Sequence, residues 1–203
     1  MIKLYGSALS RGAAVMVVLE TLGLEYEVEE MLPRSPQTQT ADYLALNPTG
    51  KVPTLVDGDV VIFETQAILY YLVRQYGNGK LWADTPAGEA SIWQWTLFIS
   101  NQLEVPALDM LLQVKYAGDT PDQSALAKTA EQLTRFLPVL EQRLAEQDYL
   151  CGEKTFADIH GALVLSWPKL AKFDYSAFPA VERWLRMMLS SEENKRVTAR
   201  MRR

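Results

Sequence analysis

Val52-Pro53 and Glu64-Thr65 are the residues of this chain whose types and spacing could do chemistry. A proline at the head of a strand donates no ladder hydrogen bond, so it belongs at an edge. Its neighbour Val52 then keeps a free backbone N–H and C=O, which can pair with an extended peptide as one strand pairs with another. The bond before Pro53 is a candidate for the cis form, found at roughly 5–6% of X–Pro bonds in folded proteins; the alternative is an ordinary proline opening a strand. Thr65 stands where an apolar helical pattern begins. A helix start offers unpaired N–H groups and the positive end of a dipole, a suitable seat for a carboxylate. Lys51 and Glu64 adjoin these positions with opposite charges; taken alone they read as two solvated surface charges. Three hydroxyls, Tyr5, Ser7 and Ser10, surround the first loop.

The elements around these residues follow from pattern and punctuation. Asn47-Pro48 and Thr49-Gly50 mark a loop. Thr54 to Val56 reads as a strand, Asp57-Gly58 as a type I′ hairpin turn, and Val60 to Phe63 as the returning strand. Thr65 is expected to cap a helix reaching about Tyr76, with Ile68, Leu69, Leu72 and Val73 as its apolar face. Upstream, Ile2 to Tyr5 reads as a strand. Arg11 to Leu22 reads as a helix stopped by Gly23, and Tyr26 to Glu30 as a second strand. Pro33 to Thr40 reads as a polar loop and Ala41 to Leu46 as a short helix. The order βαβαββα combines a right-handed parallel crossover with an antiparallel hairpin.

Beyond Gly77 the strand signals stop. The reading gives an α/β domain over 1–77, a linker over 78–86 and an all-helical domain over 87–203. Ala87 to about Tyr116 is apolar-periodic and carries Trp93, Trp95 and Phe98, which at helical spacing read mostly as core. After a turn at Gly118-Asp119-Thr120-Pro121 comes a helix from Ser124 to about Gln147. Leu126, Leu133, Leu137, Leu140 and Leu144 form its stripe, and Pro138 is expected to kink it. Thr155-x-x-Asp158 has the spacing of an N-cap and its partner, a folding signal.

Two stretches resemble one known family. "NPTGKVPTLVDGDVVIFETQAILYYL" looks like the glutathione-binding half of a cytosolic glutathione transferase, and "YLCGEKTFADI" with "FPAVERWLRMML" looks like its helical domain. The resemblance implies a thioredoxin-like N-terminal domain and a helical-bundle C-terminal domain. It implies that glutathione is the co-substrate, a small apolar electrophile its partner, and a homodimer the assembly. Carried over position by position, it puts Val52 and cis-Pro53 against the cysteine moiety. The γ-glutamyl carboxylate falls at Thr65, the ammonium at Glu64 and the glycine carboxylate at Lys51. Asp158 receives a structural role.

Conjugation needs the thiolate of glutathione, whose thiol has an ordinary pKa of about 8.5. Lowering it by ~2 units takes ~2.7 kcal/mol. A helix dipole gives ~0.3–1 kcal/mol and a hydrogen bond to a charged group roughly 1.5–3 kcal/mol, so a hydroxyl donor near the first helix is required. Ser10-Arg11 resembles the Ser-Arg pair of bacterial serine-type members, which makes Ser10 the first choice. Tyr5 matches the tyrosine-type position and is the runner-up; Ser7 is third. Ala13-Ala14 stands where relatives often carry a second arginine. The alternative functions are a non-catalytic glutathione-binding scaffold and glutathione-dependent isomerase or peroxidase chemistry.

Composition bounds the rest. The chain has 203 residues and a net charge of −5, which argues against nucleic acid as a partner. No run reaches the ~18 apolar residues of a membrane span, and no leader is expected. One cysteine excludes an intrachain disulfide and suits the cytoplasm. Cys151 reads as buried and inert, and without a C-x-x-C the chain has no dithiol exchange site. Single copies of His160 and Cys151 cannot form a usual zinc site, so no metal is expected.

Overall fold

The computed structural model describes residues 1–116 and 120–201. Gly118 and Asp119 of the turn expected at Gly118-Asp119-Thr120-Pro121, and Arg202-Arg203, lie outside them. The described residues divide into two units.

The first unit has the expected order: β1 (Ile2–Gly6), α1 (Gly12–Leu22), β2 (Tyr26–Glu30), α2 (Ala41–Leu46), β3 (Thr54–Asp57), β4 (Val60–Phe63) and α3 (Thr65–Tyr76). The sheet order is β2-β1-β3-β4. β1 pairs parallel with β2 and antiparallel with β3, and β4 returns antiparallel to β3. This is the thioredoxin-like arrangement. Asp57 pairs with Val60, so the loop is Gly58-Asp59, with positive φ at Gly58 alone, rather than the type I′ turn expected at Asp57-Gly58. The segment read as a polar loop contains a 3-10 turn at Pro36–Gln39, followed by the Thr40 cap of α2.

Side-chain alternation along β1 sorts two faces. Ile2 and Leu4 are buried, with Leu55 of β3 on the same core as Val15, Val18 and Leu19 of α1 and Ile68, Leu69 and Leu72 of α3. Tyr5, one residue out of phase, packs instead against Met31, Tyr43 and Val52. α1 is buried from Gly12 to Leu19, more than a one-sided amphipathic helix requires. The cause is a second partner: α9 (Glu192–Arg200) packs on α1. The first unit is therefore Met1–Trp82 together with the C-terminal segment from Ser191. This differs from a boundary that gives all of 87–203 to the helical domain and opens a linker at 78. Glu20 of α1 accepts from Arg196 Nε at 2.7 Å and from the Tyr26 hydroxyl at 3.0 Å. Only Val197 of α9 is buried, so polar contacts carry much of this docking.

The second unit, Ala83–Ser190, is helical. It contains α4 (Pro86–Phe98), α5 (Glu104–Tyr116), α6 (Gln123–Glu146), α7 (Phe156–Leu170) and α8 (Pro179–Leu189). The single long helix expected to Tyr116 changes hydrogen-bond register through a π-helical segment, Ile99–Leu103. α6 continues through Pro138 as one element, with Leu133, Leu137, Leu140 and Leu144 fully buried. α7 is the central helix. Its Gly161 has no room for a side chain: a Cβ would lie 2.7 Å from Ile99 Cδ1 and 3.1 Å from Trp184 Cη2. Asp158 is buried and accepts from the N–H groups of Leu150 and Thr155 at 2.9 Å, Thr155 Oγ1 at 3.0 Å and Trp184 Nε1 at 3.1 Å. The capping box is thus also the polar centre of this core. Burial pushes the Asp158 carboxyl above its ordinary range, against the pull of these donors.

Candidate functional site

The strand register brings the separate sequence signals to one end of the sheet. Tyr5 pairs with Thr54, and Thr54 with Phe63. The next residue outward on each strand is Gly6, Pro53 or Glu64. A Cβ on Gly6 would lie 3.6 Å from Pro53 Cβ and 3.8 Å from Gly12 Cα. The proline loop, the first loop and the start of α1 are therefore in close contact.

The Val52–Pro53 bond is cis. Pairing along β3 begins at Thr54, and among the described residues the Val52 N–H and C=O make no hydrogen bond. The loop that presents them is braced from behind. The Lys51 carbonyl accepts from the Tyr43 hydroxyl and from Asn47 Nδ2 at 2.8 Å. Asn47 Nδ2 also donates to Thr54 Oγ1 at 3.0 Å, which lies 2.8 Å from the Tyr43 oxygen. Asn47 Oδ1 accepts from the Thr49 N–H at 3.1 Å and its hydroxyl at 2.7 Å. Proton supply fixes the directions. The one Tyr43 hydrogen goes to Lys51, so Thr54 must donate to Tyr43 and accept from Asn47. Gly50, with φ 61°, sits where a Cβ would lie 2.6 Å from Gln39 Nε2. Sequence reasoning used Asn47 only as turn punctuation and gave Tyr43 and Gln39 no role. An asparagine directly ahead of the Pro48-Thr49-Gly50 turn was the available signal.

The start of α3 differs from expectation. Thr65 is its first helical residue rather than its cap. Glu64 occupies the cap position at φ 72° and ψ 119°, with no side-chain cap. The reason is geometric. β4 runs straight into α3, and one residue absorbs the reversal in a region that non-glycine residues seldom adopt. The first-turn amides of α3 thus have no side-chain acceptor from the cap residue. The exposed Glu64 carboxylate makes no hydrogen bond or ion pair among the described residues, and Thr65 is buried. Lys51 is exposed.

The three candidate hydroxyls separate. Ser7 and Ser10 are both buried in the turn before α1. Ser10 Oγ donates to the Ser7 carbonyl at 2.7 Å and accepts from the N–H groups of Ser7 at 3.3 Å and Gly12 at 3.0 Å. Ser7 Oγ accepts from the Leu9 N–H at 3.1 Å. Tyr5 stands on the α2 face of the sheet, its ring 5.8 Å from that of Tyr43 and 4.9 Å from the Lys3 ammonium. Burial raises the Tyr43 phenol above its ordinary pKa, so it stays a hydrogen-bond donor at neutral pH.

The remaining candidates lie in the second unit. Cys151 is half-buried rather than fully enclosed, with its Sγ 3.7 Å from Ser91 Oγ. Burial pushes its thiol up. His160 is buried in α7, with Nε2 3.1 Å from Ser100 Oγ and 3.5 Å from Glu104 Oε2. Among the described residues no group of three or more side chains could hold a metal ion, and no helix is long and apolar enough to cross a membrane.

Known proteins share both halves of this chain. Residues 1–74 match the family model "Glutathione S-transferase, N-terminal domain" and residues 93–192 match "Glutathione S-transferase, C-terminal domain". "Glutathione S-transferase 3" of Zea mays is 36% identical over 169 residues, covering 80% of this chain and 76% of the relative. Glutathione transferase F7 from Populus trichocarpa superposes with a TM-score of 0.91 at 25% identity, covering 99% of each chain. Glutathione S-transferase-I bound with lactoylglutathione superposes with a TM-score of 0.88 at 28% identity, covering 98% of each. The two relatives with a stated source are plant proteins, not the bacterial members that the Ser10-Arg11 pair resembles.

Proposed function

The chain belongs to the glutathione S-transferase family, and on that premise we propose that it binds glutathione at the sheet end just described and transfers it to a small apolar electrophile. The carrying observation is the unpaired Val52 backbone at cis-Pro53, beside the uncapped start of α3. Val52 pairs with the cysteine moiety as an added strand would. The γ-glutamyl carboxylate takes the α3 amides and the Thr65 hydroxyl, its ammonium takes Glu64, and Lys51 reaches the glycine carboxylate. A solved relative that holds lactoylglutathione supports the same ligand class here.

Ser10 serves as the hydroxyl donor to the sulfur. Its proton rests on the Ser7 carbonyl, which also accepts from the Ser10 N–H at 3.0 Å. That carbonyl stays paired when the hydroxyl turns to a thiolate, a stronger acceptor because it is charged. Ionisation sends the thiol proton to solvent. The sulfur lone pair then forms the bond to the electrophilic carbon, and the leaving group departs with its electron pair. The protein works as a cytoplasmic homodimer in this reading.

Glutathione calorimetry together with conjugation of chlorodinitrobenzene tests the proposal. Ser10→Ala is expected to keep glutathione affinity within a few-fold and to lower turnover at least tenfold. Full turnover in Ser10→Ala with loss in Tyr5→Phe transfers the role to Tyr5. Binding without turnover in the wild type supports a scaffold instead.

A further inference from the structure

We propose that Gly12 is a positioning residue. Its N–H and its missing side chain hold the Ser10 oxygen fixed while the Ser10 proton turns from the Ser7 carbonyl to the glutathione sulfur. The inference rests on the reading of Ser10 as the donor.

A serine hydroxyl has one proton and two lone pairs. In this turn all three are committed: the proton to the Ser7 carbonyl, the lone pairs to the N–H groups of Ser7 and Gly12. The lone pairs turn with the proton, so donation to sulfur by rotation about the Cβ–Oγ bond gives up one accepted bond; the Gly12 bond, at 3.0 Å the shorter of the two, is the one kept, and it pins the oxygen during the turn. In the resting state both accepted bonds hold that oxygen. They also polarise the O–H, since each bond accepted by an oxygen strengthens the bond it donates.

Space makes the residue type matter. A Cβ on Gly12 would lie 3.0 Å from Ser7 O, 3.1 Å from Ser10 Oγ and 3.3 Å from Ser7 N. These are the atoms of the hydroxyl's own anchorage. Two are backbone and cannot swing aside, so any side chain here displaces the oxygen by a few tenths of an ångström. Glycine is not needed for a left-handed conformation, since Gly12 is absent from the positive-φ positions. A purely structural role makes the opposite forecast. Alanine in place of glycine favours a helix by backbone entropy alone.

The test compares Gly12→Ala, Ser10→Ala and the double variant, each loaded with glutathione, by the ultraviolet absorbance of the thiolate against pH and by kcat/KM with chlorodinitrobenzene. Gly12→Ala is expected to raise the bound thiol's pKa by about 0.5–1 unit, roughly a threefold to eightfold loss of thiolate at pH 6. Glutathione affinity stays within about twofold. In the Ser10→Ala background the same change is expected to add nothing. Ser10→Ala that raises the thiol pKa, with Gly12→Ala that does not, overturns the role of Gly12 alone. Ser10→Ala without effect overturns the donor reading beneath it. Hydrogen exchange on the wild type gives a measure that needs no variant to fold. As the first residue of α1, Gly12 has an N–H without an intrahelical acceptor, so protection of that amide reports its bond to Ser10. Protection is expected both free and with glutathione bound; its loss on binding overturns the proposal.

Discussion

Asn47 offers the sharpest physical test of how the proline loop is held. It is buried, and its amide spends two protons on Lys51 O and Thr54 Oγ1 and accepts twice from Thr49. Asn47→Ala removes these bonds, but the Lys51 carbonyl and the Thr54 hydroxyl each keep Tyr43. The Thr49 N–H is the principal group left short. The expected loss is about 2 kcal/mol, one stranded donor plus the net worth of the rest. Asn47→Asp is nearly the same shape and is expected to be worse. It sets a carboxylate oxygen 2.8 Å from the Lys51 carbonyl and 3.0 Å from Thr54 Oγ1 where two donated protons had been. Thr54 cannot relieve this by turning its hydroxyl, because that proton already serves Tyr43. The stronger bonds from Thr49 offset part of the cost, which leaves about 3 kcal/mol or more. Urea unfolding of the full chain measures the stability term. Glutathione calorimetry measures the second: with the Lys51 carbonyl unbraced, affinity is expected to fall at least about fivefold, near 1 kcal/mol. Asn47→Asp within about 0.5 kcal/mol of wild type, with unchanged glutathione affinity, would refute the proton assignment and the bracing role together.

Asp57 accepts from the hydroxyls of Tyr71, at 2.9 Å, and Tyr76, tying the β3–β4 turn to α3. Asp57→Ala is expected to destabilise by about 1–3 kcal/mol and to weaken glutathione binding, read by urea unfolding and calorimetry. The same bond to Asp57 is the leading cause that pushes the Tyr76 phenol up to about 12. Tyr76 is thus expected to stay protonated through pH 10 in a spectrophotometric titration, where a free tyrosine is half ionised. Asp158→Asn turns one acceptor into a donor facing existing donors, and a fall of about 3 kcal/mol, or roughly 6–12 °C in Tm, is expected by calorimetry. Cys151 has its thiol pushed up by burial, so near pH 8 it carries less thiolate than a free thiol. Iodoacetamide is expected to label it slowly in the folded protein and rapidly in urea, and Cys151→Ala is expected to keep full transferase activity.

Much of the fold was legible because its signals are local. Gly23, Asp57-Gly58 and the apolar faces of α1 and α3 state their elements within a few residues, and Thr155-x-x-Asp158 states the start of α7. The cis bond at Pro53 was a candidate that the structure bears out. The parts that stayed hidden depend on partners distant in sequence. Asn47 becomes a brace only when Tyr43 and Thr54 fold against it. Glu64 takes the cap position because β4 leads directly into α3, a constraint no propensity expresses. The π-helical register at Ile99–Leu103 lies against α7, so the apolar periodicity of α4 and α5 alone could not show it. The side of the sheet that receives Tyr5 likewise followed only from strand register.

The return of α9 to α1 has a consequence during synthesis. The unit that holds α1 is not closed until α9 has left the ribosome, because Glu20 awaits Arg196 and the Tyr26 ring awaits Arg200. A nascent chain halted after Trp82 exposes the α1 surface that Val197 later covers, so the expected intermediate is one that a chaperone can grip there.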